Sequence, residues 1–435
     1  MPHLQNRNGY SSLMERLERF PQGAPPSELF AKILALLFTE QEAKLVGQLP
    51  MHPFSPARAA HVWGVREVEA YRTLEGLTER GLLLDTEHEG EKLYILPPPM
   101  AGFLDFVLMR VRKDVDQPAL SRLLDQYLNQ EEEYIRDLYT DGNTASTRIM
   151  VDEDQVPPSN LARLFNYERA SEVIQGAKRI GVGTCSCRHK MRHVGRACSA
   201  PLETCMVFDD LADSLIRHEH AREISAEQCL ELLQQSREQN LVQVADNAQF
   251  GVSSICNCCS CCCETLIRSR KFSDLQPVCS TNYLAELKPQ RCSGCGRCVD
   301  ACPAEAMRLV SANDPQHPWQ RRCVQDQERC LGCGVCVRVC RTNSLALVPK
   351  AERVVTPVDN AHRLVLMALE HGKLQHLIWD NRAMFNHRAM AALVGAILRL
   401  PAVKQKLAAS ELGSRYLGGI MQRVAERSSR MPLRL

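Results

Sequence analysis

Apolar residues recur at helical spacing near the start of the chain. Leu29, Ile33, Leu36 and Leu37 form one stripe, and Thr39 with Glu42 writes a capping box for a second helix reaching Leu49. Ser55-Pro56 predicts a short helix to Trp63; Val65 then leads into a longer one carrying Val68, Tyr71, Leu74 and Leu77, stopped at Gly81. There the period changes. Residues 82–85 and 92–96 read as two strands joined by a turn at Glu89-Gly90. Helices are expected over 100–111 and, acid-rich through Glu131, Glu132 and Glu133, over 120–138. The polar, Pro- and Gly-marked residues 1–26 read as an arm or one loose helix.

Asp152-Glu153-Asp154 and Pro157-Pro158 mark a linker near 140–160. Beyond it the pattern predicts a strand over 179–184, a helix over 206–217, a helix capped by Ser225 and Gln228 that runs to Asn240, and a strand over 242–245. From Thr356 the chain turns helical again, with Leu364, Leu366, Met367 and Leu369 in one segment and further helices over 384–400 and 403–427. Helices followed by a hairpin make residues 27–140 a winged-helix-like domain with trailing helices.

A chain of 435 residues with 45% hydrophobic content buries several cores, and its net charge of +2 demands neither nucleic acid nor a membrane. The candidate recognition helix presents Arg66, Glu67, Glu69, Arg72, Glu75, Glu79 and Arg80, and the hairpin adds Asp85, Glu87, Glu89 and Glu91. That surface is too acidic to neutralise many phosphates, so partner contact or dimerisation is expected there rather than DNA. The N-terminus lacks an apolar signal region, and the longest apolar run, 389–398, is too short to span a bilayer and is closed by Arg399, so no integral membrane segment is expected. The basic end, with Arg423, Arg427, Arg430 and Arg434, is better explained by packing than by lipid binding.

The 21 cysteines change the picture. Their clustering in CxxC, CxC and CC pairs suits metal ligation rather than disulfides, which fits a reducing cytoplasm. Cys292, Cys295, Cys298 and Cys302 stand at C-x2-C-x2-C-x3-C before Pro303, and Cys330, Cys333, Cys336 and Cys340 repeat the spacing. Thiolates at two-residue gaps converge on one centre, with Gly294, Gly296, Gly332 and Gly334 allowing the tight fold. Paired zinc knuckles are disfavoured by the third close Cys in each run. Over roughly an eighth of the chain, CSGCGRCVDACPAEAM and CLGCGVCVRVCRTNSL resemble the bacterial two-cluster ferredoxins. The resemblance implies a ferredoxin-like domain over 286–350 with two [4Fe-4S] clusters. Cys292, Cys295, Cys298 and Cys340 would hold one, and Cys330, Cys333, Cys336 and Cys302 the other. Arg341 replaces a Pro that is not a ligand. The polar insert 308–328 is expected to face a partner, and Arg291, Arg297, Arg321, Arg322, Arg338 and Arg341 would favour the reduced state or dock an acidic redox partner.

Upstream, Cys185, Cys187, Cys198 and Cys205 follow C-x-C-R-x9-C-x6-C, near enough to close a site by themselves. Arg188, His189, Lys190, Arg192 and His193 crowd that loop, where their charge would lower thiol pKa values. A further iron–sulfur cluster is expected, with zinc left open at the CxC site. Cys256, Cys258, Cys259, Cys261, Cys262 and Cys263 then place six thiols within eight positions. No single regular element points all six at one cube, so two centres, or one larger than a cube, fit better. The CSCRHK and ICNCCSCCC pair is similar to a Cys-rich module that precedes ferredoxin domains in a set of bacterial and archaeal iron–sulfur proteins, over about 165–265. That likeness implies domain order and clusters, and no reaction. Cys229 and Cys279 read as structural thiols; Cys323, between the two ferredoxin runs, is near enough to be an auxiliary ligand but reads most simply as structural, and His362, His371, His376 and His387 lack compact ligand spacing.

The resulting class is an α+β multidomain chain, mainly helical: arm 1–26, winged-helix-like domain 27–140, small mixed α/β Cys-rich domain 160–285, dicluster ferredoxin-like domain 286–350 and helical region 356–435. The expected function is one-electron relay to a protein redox partner. No GxGxxG follows a strand and no GxxxxGK[ST] is present, so neither a nicotinamide or flavin fold nor ATP hydrolysis is expected. Two alternatives stay open: an oxidoreductase with a catalytic centre at the Cys256 to Cys263 segment, and a redox-sensing winged-helix regulator.

Overall fold

The structure, a computed structural model, describes residues 8–378 except 89, 130–143, 273–276, 314–315 and 317–318. Glu131, Glu132, Glu133, His387, the helices expected over 384–400 and 403–427 and the basic end lie outside the described residues.

The first core is helical. Helix α1 (Gly9–Glu18) buries Leu13 and Leu17 completely, so the stretch read as an arm belongs to this core. Helix α2 (Glu28–Leu37), capped by Ser27, buries Phe30, Ile33, Leu34 and Leu37; α3 (Glu40–Val46) opens on the Thr39–Glu42 capping box. Helices α4 (Pro56–Trp63) and α5 (Glu67–Glu79) precede an antiparallel hairpin, β1 (Leu84–His88) and β2 (Glu91–Ile95), paired Leu84 to Ile95. The helix expected over 100–111 is instead two short turns, 99–103 and 104–106, before α6 (Gln117–Asn129). Pro97, Pro98 and Pro99 at its start remove amide donors that a regular first turn would use.

The second core is an antiparallel sheet of six strands in the order β3-β7-β8-β5-β4-β6. In chain order it comprises β3 (Thr147–Ile149), α7 (Ala170–Gly176), β4 (Ile180–Thr184), α8 (Ser186–His193), β5 (Glu203–Phe208), α9 (Asp209–Arg217), β6 (Ala221–Glu223), α10 (Ala226–Glu238), β7 (Val242–Asp246), β8 (Ser254–Cys258) and α11 (Glu264–Lys271). Two expectations are corrected. The linker near 140–160 supplies edge strand β3, and its acids grip neighbours: Arg237 reaches Asp154 at 3.0 Å and Arg338 pairs with Asp152. Residues 206–208 are strand rather than helix, because Met206, Val207 and Phe208 are all buried in a sheet covered on both faces.

Asp85 joins the first two cores. Its fully buried carboxylate accepts from the Ser214 hydroxyl at 2.8 Å and from Arg217 at 2.6 Å, with His218 and Lys92 each at 3.1 Å. Burial would raise its pKa, but the His218 and Ser214 hydrogen bonds and the nearby charges hold it well below the usual carboxylate range.

The third segment pairs β9 (Tyr283–Leu287) with β12 (Leu345–Pro349). Between them lie α12 (Arg297–Ala301), the antiparallel hairpin β10 (Met307–Ser311) and β11 (Arg321–Gln325), and α13 (Val335–Arg338). Helix α14 (Asn360–Glu370) packs back through Arg363, which donates to the Ser146 carbonyl at 2.6 Å, and α15 (Leu374–Ile378) follows. No helix among the described residues is long and apolar enough to cross a membrane.

Candidate metal and cluster centres

Strand alternation and two helix starts assemble a set of six thiols, two of them buried and four half-buried. Cys256 and Cys258 lie two apart on β8 and so share a face. Cys205 on β5 is the register partner of Cys256, with the Sγ atoms 3.9 Å apart. Cys185 follows β4 at the N-cap position of α8, Cys187 sits in that helix's first turn, and Cys263 stands at the N-cap position of α11. Sulfhydryl hydrogen bonds link Cys187 to Cys263 and Cys258 to both Cys256 and Cys263. Burial pushes the Cys185 thiol up to about 12, whereas bonds from Cys187 and Cys258 hold Cys263 down. Buried thiols this close cannot all ionise without a cationic centre among them. Beside them, Asp105 accepts from the Ser186 hydroxyl at 2.8 Å, and burial raises its carboxyl to about 6.

Cys198, Cys259, Cys261 and Cys262 form a separate group whose four Sγ atoms all lie within 4.8 Å of one another. Cys261 and Cys262 are 3.6 Å apart and Cys262 and Cys198 3.9 Å. Bonding to Cys262, then to Cys198 and Arg188, holds the Cys259 thiol down at about 4. The expected closure of one site by Cys185, Cys187, Cys198 and Cys205 is therefore corrected. Cys198 lies in the loop after α8 and turns to the 259–262 turn, while Cys205 meets Cys256 on β8 and Cys187 bonds Cys263. Of the cations expected to crowd this loop, Arg188 stands beside Cys259 and donates to the Asn257 carbonyl at 3.0 Å. Lys190 is neutralised by Glu264, and His189 is turned away, its Nδ1 bonded to the Leu108 carbonyl at 2.7 Å.

Residues 291–344 place their thiols in two loops. Gly294 and Gly332 stand at equivalent positions with φ of +65° and +68°, and a Cβ on either would meet a backbone oxygen, that of Arg321 at 2.1 Å or of Tyr283 at 2.0 Å. Both positions require glycine. Cys302, Cys330, Cys333 and Cys336 line one cavity with Pro303, Met307 and Leu331. The Ala306 N–H donates to the Cys302 Sγ at 3.2 Å, and burial pushes Cys333 up to about 12. An apolar pocket with four converging thiols and an N–H···S bond fits a [4Fe-4S] cluster. Residues 291–344 match the family model for the 4Fe-4S dicluster domain. Neither a curated protein nor a solved structure matches the chain.

In the first loop of the dicluster domain, Cys292 and Cys298 gather around Cys323. The Cys323 Sγ is 3.4 Å from that of Cys298, and its N–H donates to the Cys292 Sγ at 3.4 Å. Cys295 is exposed, and Cys340 lies 3.1 Å from the Ser344 hydroxyl. In sequence Cys323 was legible as a thiol near enough to the runs to be an auxiliary ligand; its approach to Cys292 and Cys298 depends on β11 pairing with β10, which no spacing encodes.

The two cysteine regions meet. Cys258 and Cys263 share one buried core with Cys298, Cys323, Cys330 and Cys336. Arg270 on α11 spans the junction, donating to the Ser260 carbonyl at 2.6 Å and the Pro303 carbonyl at 3.2 Å.

Proposed function

We propose that the chain is an iron–sulfur electron carrier in which the dicluster domain and the six-thiol pocket form one relay. The observation that carries this reading is the shared buried core, in which Cys258 and Cys263 pack into the same apolar cluster as Cys298, Cys330 and Cys336. Cys292, Cys295, Cys298 and Cys340 would hold one [4Fe-4S] cluster, and Cys330, Cys333, Cys336 and Cys302 the second. Cys185, Cys187, Cys205, Cys256, Cys258 and Cys263 would hold a further one. Bound clusters supply one-electron transfer. The protein's own part is to exclude water with apolar walls, to direct N–H groups at sulfur, and to fix the spacing of the two regions through Arg270.

A protein redox partner would dock at the β10–β11 hairpin, where Trp319, Arg321 and Arg322 are exposed. The helices and hairpin of the N-terminal region, read as a winged-helix-like domain, would serve contact rather than DNA, since α5 carries acids through Glu67, Glu69, Glu75 and Glu79.

A catalytic reading is favoured by two observations: six thiols exceed the four a cubane needs, and a carboxyl raised by burial to about 6, Asp105, stands beside them. Cys258→Ser separates the readings. In a relay, iron content and partner reduction fall together; in an enzyme, turnover is lost with the iron of the six-thiol centre while the dicluster spectrum and its reduction persist. Unchanged iron and sulfide in Cys258→Ser would contradict both.

A further inference from the structure

We infer that Cys198, Cys259, Cys261 and Cys262 form a closed mononuclear zinc site, separate from every iron–sulfur centre proposed above. The first argument is size. Four ligands on one ion at a metal–sulfur distance of about 2.3 Å stand about 3.8 Å apart in a tetrahedron. The observed 3.6 Å and 3.9 Å separations, within a group whose every Sγ pair is under 4.8 Å, match that edge. The Cys205 and Cys256 pair of the six-thiol set is as close, at 3.9 Å, but among the described residues no three of those thiols close within the same 4.8 Å limit.

The second argument is enclosure. Cys259 and Cys262 sit in their own apolar cluster with Met191 and Leu241, against Ala197, Ala200 and Ile267, whereas Cys258 and Cys263 face the dicluster core. One turn thus alternates its thiols between two compartments. Cys262 is fully buried while Cys261 is exposed, so the site has a solvent side for ion entry. Arg188, itself 1% exposed, stands beside Cys259 and offsets the net negative charge of four thiolates on a divalent ion. Four protein ligands leave no open position, the arrangement of a structural site. Thiolates bind zinc more tightly than ferrous iron, which selects zinc over a rubredoxin-like iron.

The consequence concerns the neighbouring pocket. Cys258 precedes and Cys263 follows this turn, so the turn closed by residues 259, 261 and 262 is bracketed by two thiols of the six-thiol set. The site acts as a staple beside the relay and takes no part in electron transfer. It stands whether or not the relay reading holds.

The test uses full-length protein purified without oxygen, assayed for zinc, iron and acid-labile sulfide. Wild type is expected to hold about one zinc per chain, and Cys261→Ser, whose exposed side chain leaves the fold least disturbed, to lose it with iron and sulfide retained. Cobalt exchanged into wild type is expected to give the intense visible bands of a tetrahedral tetrathiolate, weakened in the variant. Three results would overturn the inference: no zinc in wild type, zinc unchanged in both Cys261→Ser and Cys198→Ser, or iron and sulfide falling together in these variants. Cys330→Ser serves as the control, because it removes dicluster iron and leaves this zinc in place.

Discussion

The dicluster domain and the Cys-rich domain use the same ligand type in opposite ways. In the dicluster domain a loop of two-residue gaps brings three thiols together locally, and the cavity of Cys330, Cys333 and Cys336 needs a single distant partner, Cys302. In the Cys-rich domain the six-thiol set is assembled by the tertiary fold. Cys205 reaches Cys256 because β5 pairs with β8, and Cys198 reaches Cys262 across 64 residues of chain. Local assembly depends on backbone conformation. Tertiary assembly depends on the packing of the whole sheet, including its contact with the N-terminal core.

That difference can be broken from either side. The largest effect is expected from Gly332→Ala, which sets a Cβ 2.0 Å from the Tyr283 carbonyl oxygen at a φ of +68°. The backbone must move, and iron bound by the second dicluster loop is expected to be lost while zinc content stays; retention of all iron would contradict the local account. Next comes Asp85→Ala, which strips a buried carboxylate from Ser214, Arg217, His218 and Lys92. It is expected to destabilise the Cys-rich region by about 3–5 kcal/mol in urea titration, with the dicluster spectrum surviving to higher urea.

Acid acts on the same interface. Burial, then the Arg110 charge, pushes His220 down to about 4, so it is neutral in the fold and titrates near 6.5 when unfolded. Its contribution is intact above about pH 6.5 and fades as pH falls toward 4, a loss of roughly 2–3 kcal/mol. His220→Gln should flatten urea midpoints across that window. The smallest effect is expected at Cys323. Its sulfur lies 3.4 Å from that of Cys298, and that contact holds the Cys298 thiol down at about 7. Cys323→Ala should retain iron and shift one dicluster potential negative by an amount on the order of tens of millivolts, measured by EPR-monitored titration.

Much of this was legible in the sequence. The Thr39 and Ser225 capping boxes, the Gly81 stop and the β1–β2 hairpin stand close to where the pattern puts them. The paired cysteine runs spelled out their own loops, since their ligands are neighbours in sequence. The division of Cys256 to Cys263 between two compartments could not be read, because it follows from which residues end β8 and which cap α11. Nor could the strand at 206–208, where three consecutive apolar residues fit either a buried helix or a buried strand. Strand β3 was hidden for a different reason: it is short, at the sheet edge, and flanked by the acids and prolines of a linker.

The most direct test of the central claim is EPR of the reduced, anaerobically purified full-length protein, with iron and sulfide counted on the same sample. The relay account predicts clearly more iron than the eight or so atoms of two cubanes, and signals split by magnetic coupling between the six-thiol centre and the dicluster domain, lost in Cys258→Ser. About eight irons per chain, with spectra that Cys258→Ser leaves unchanged, would contradict it.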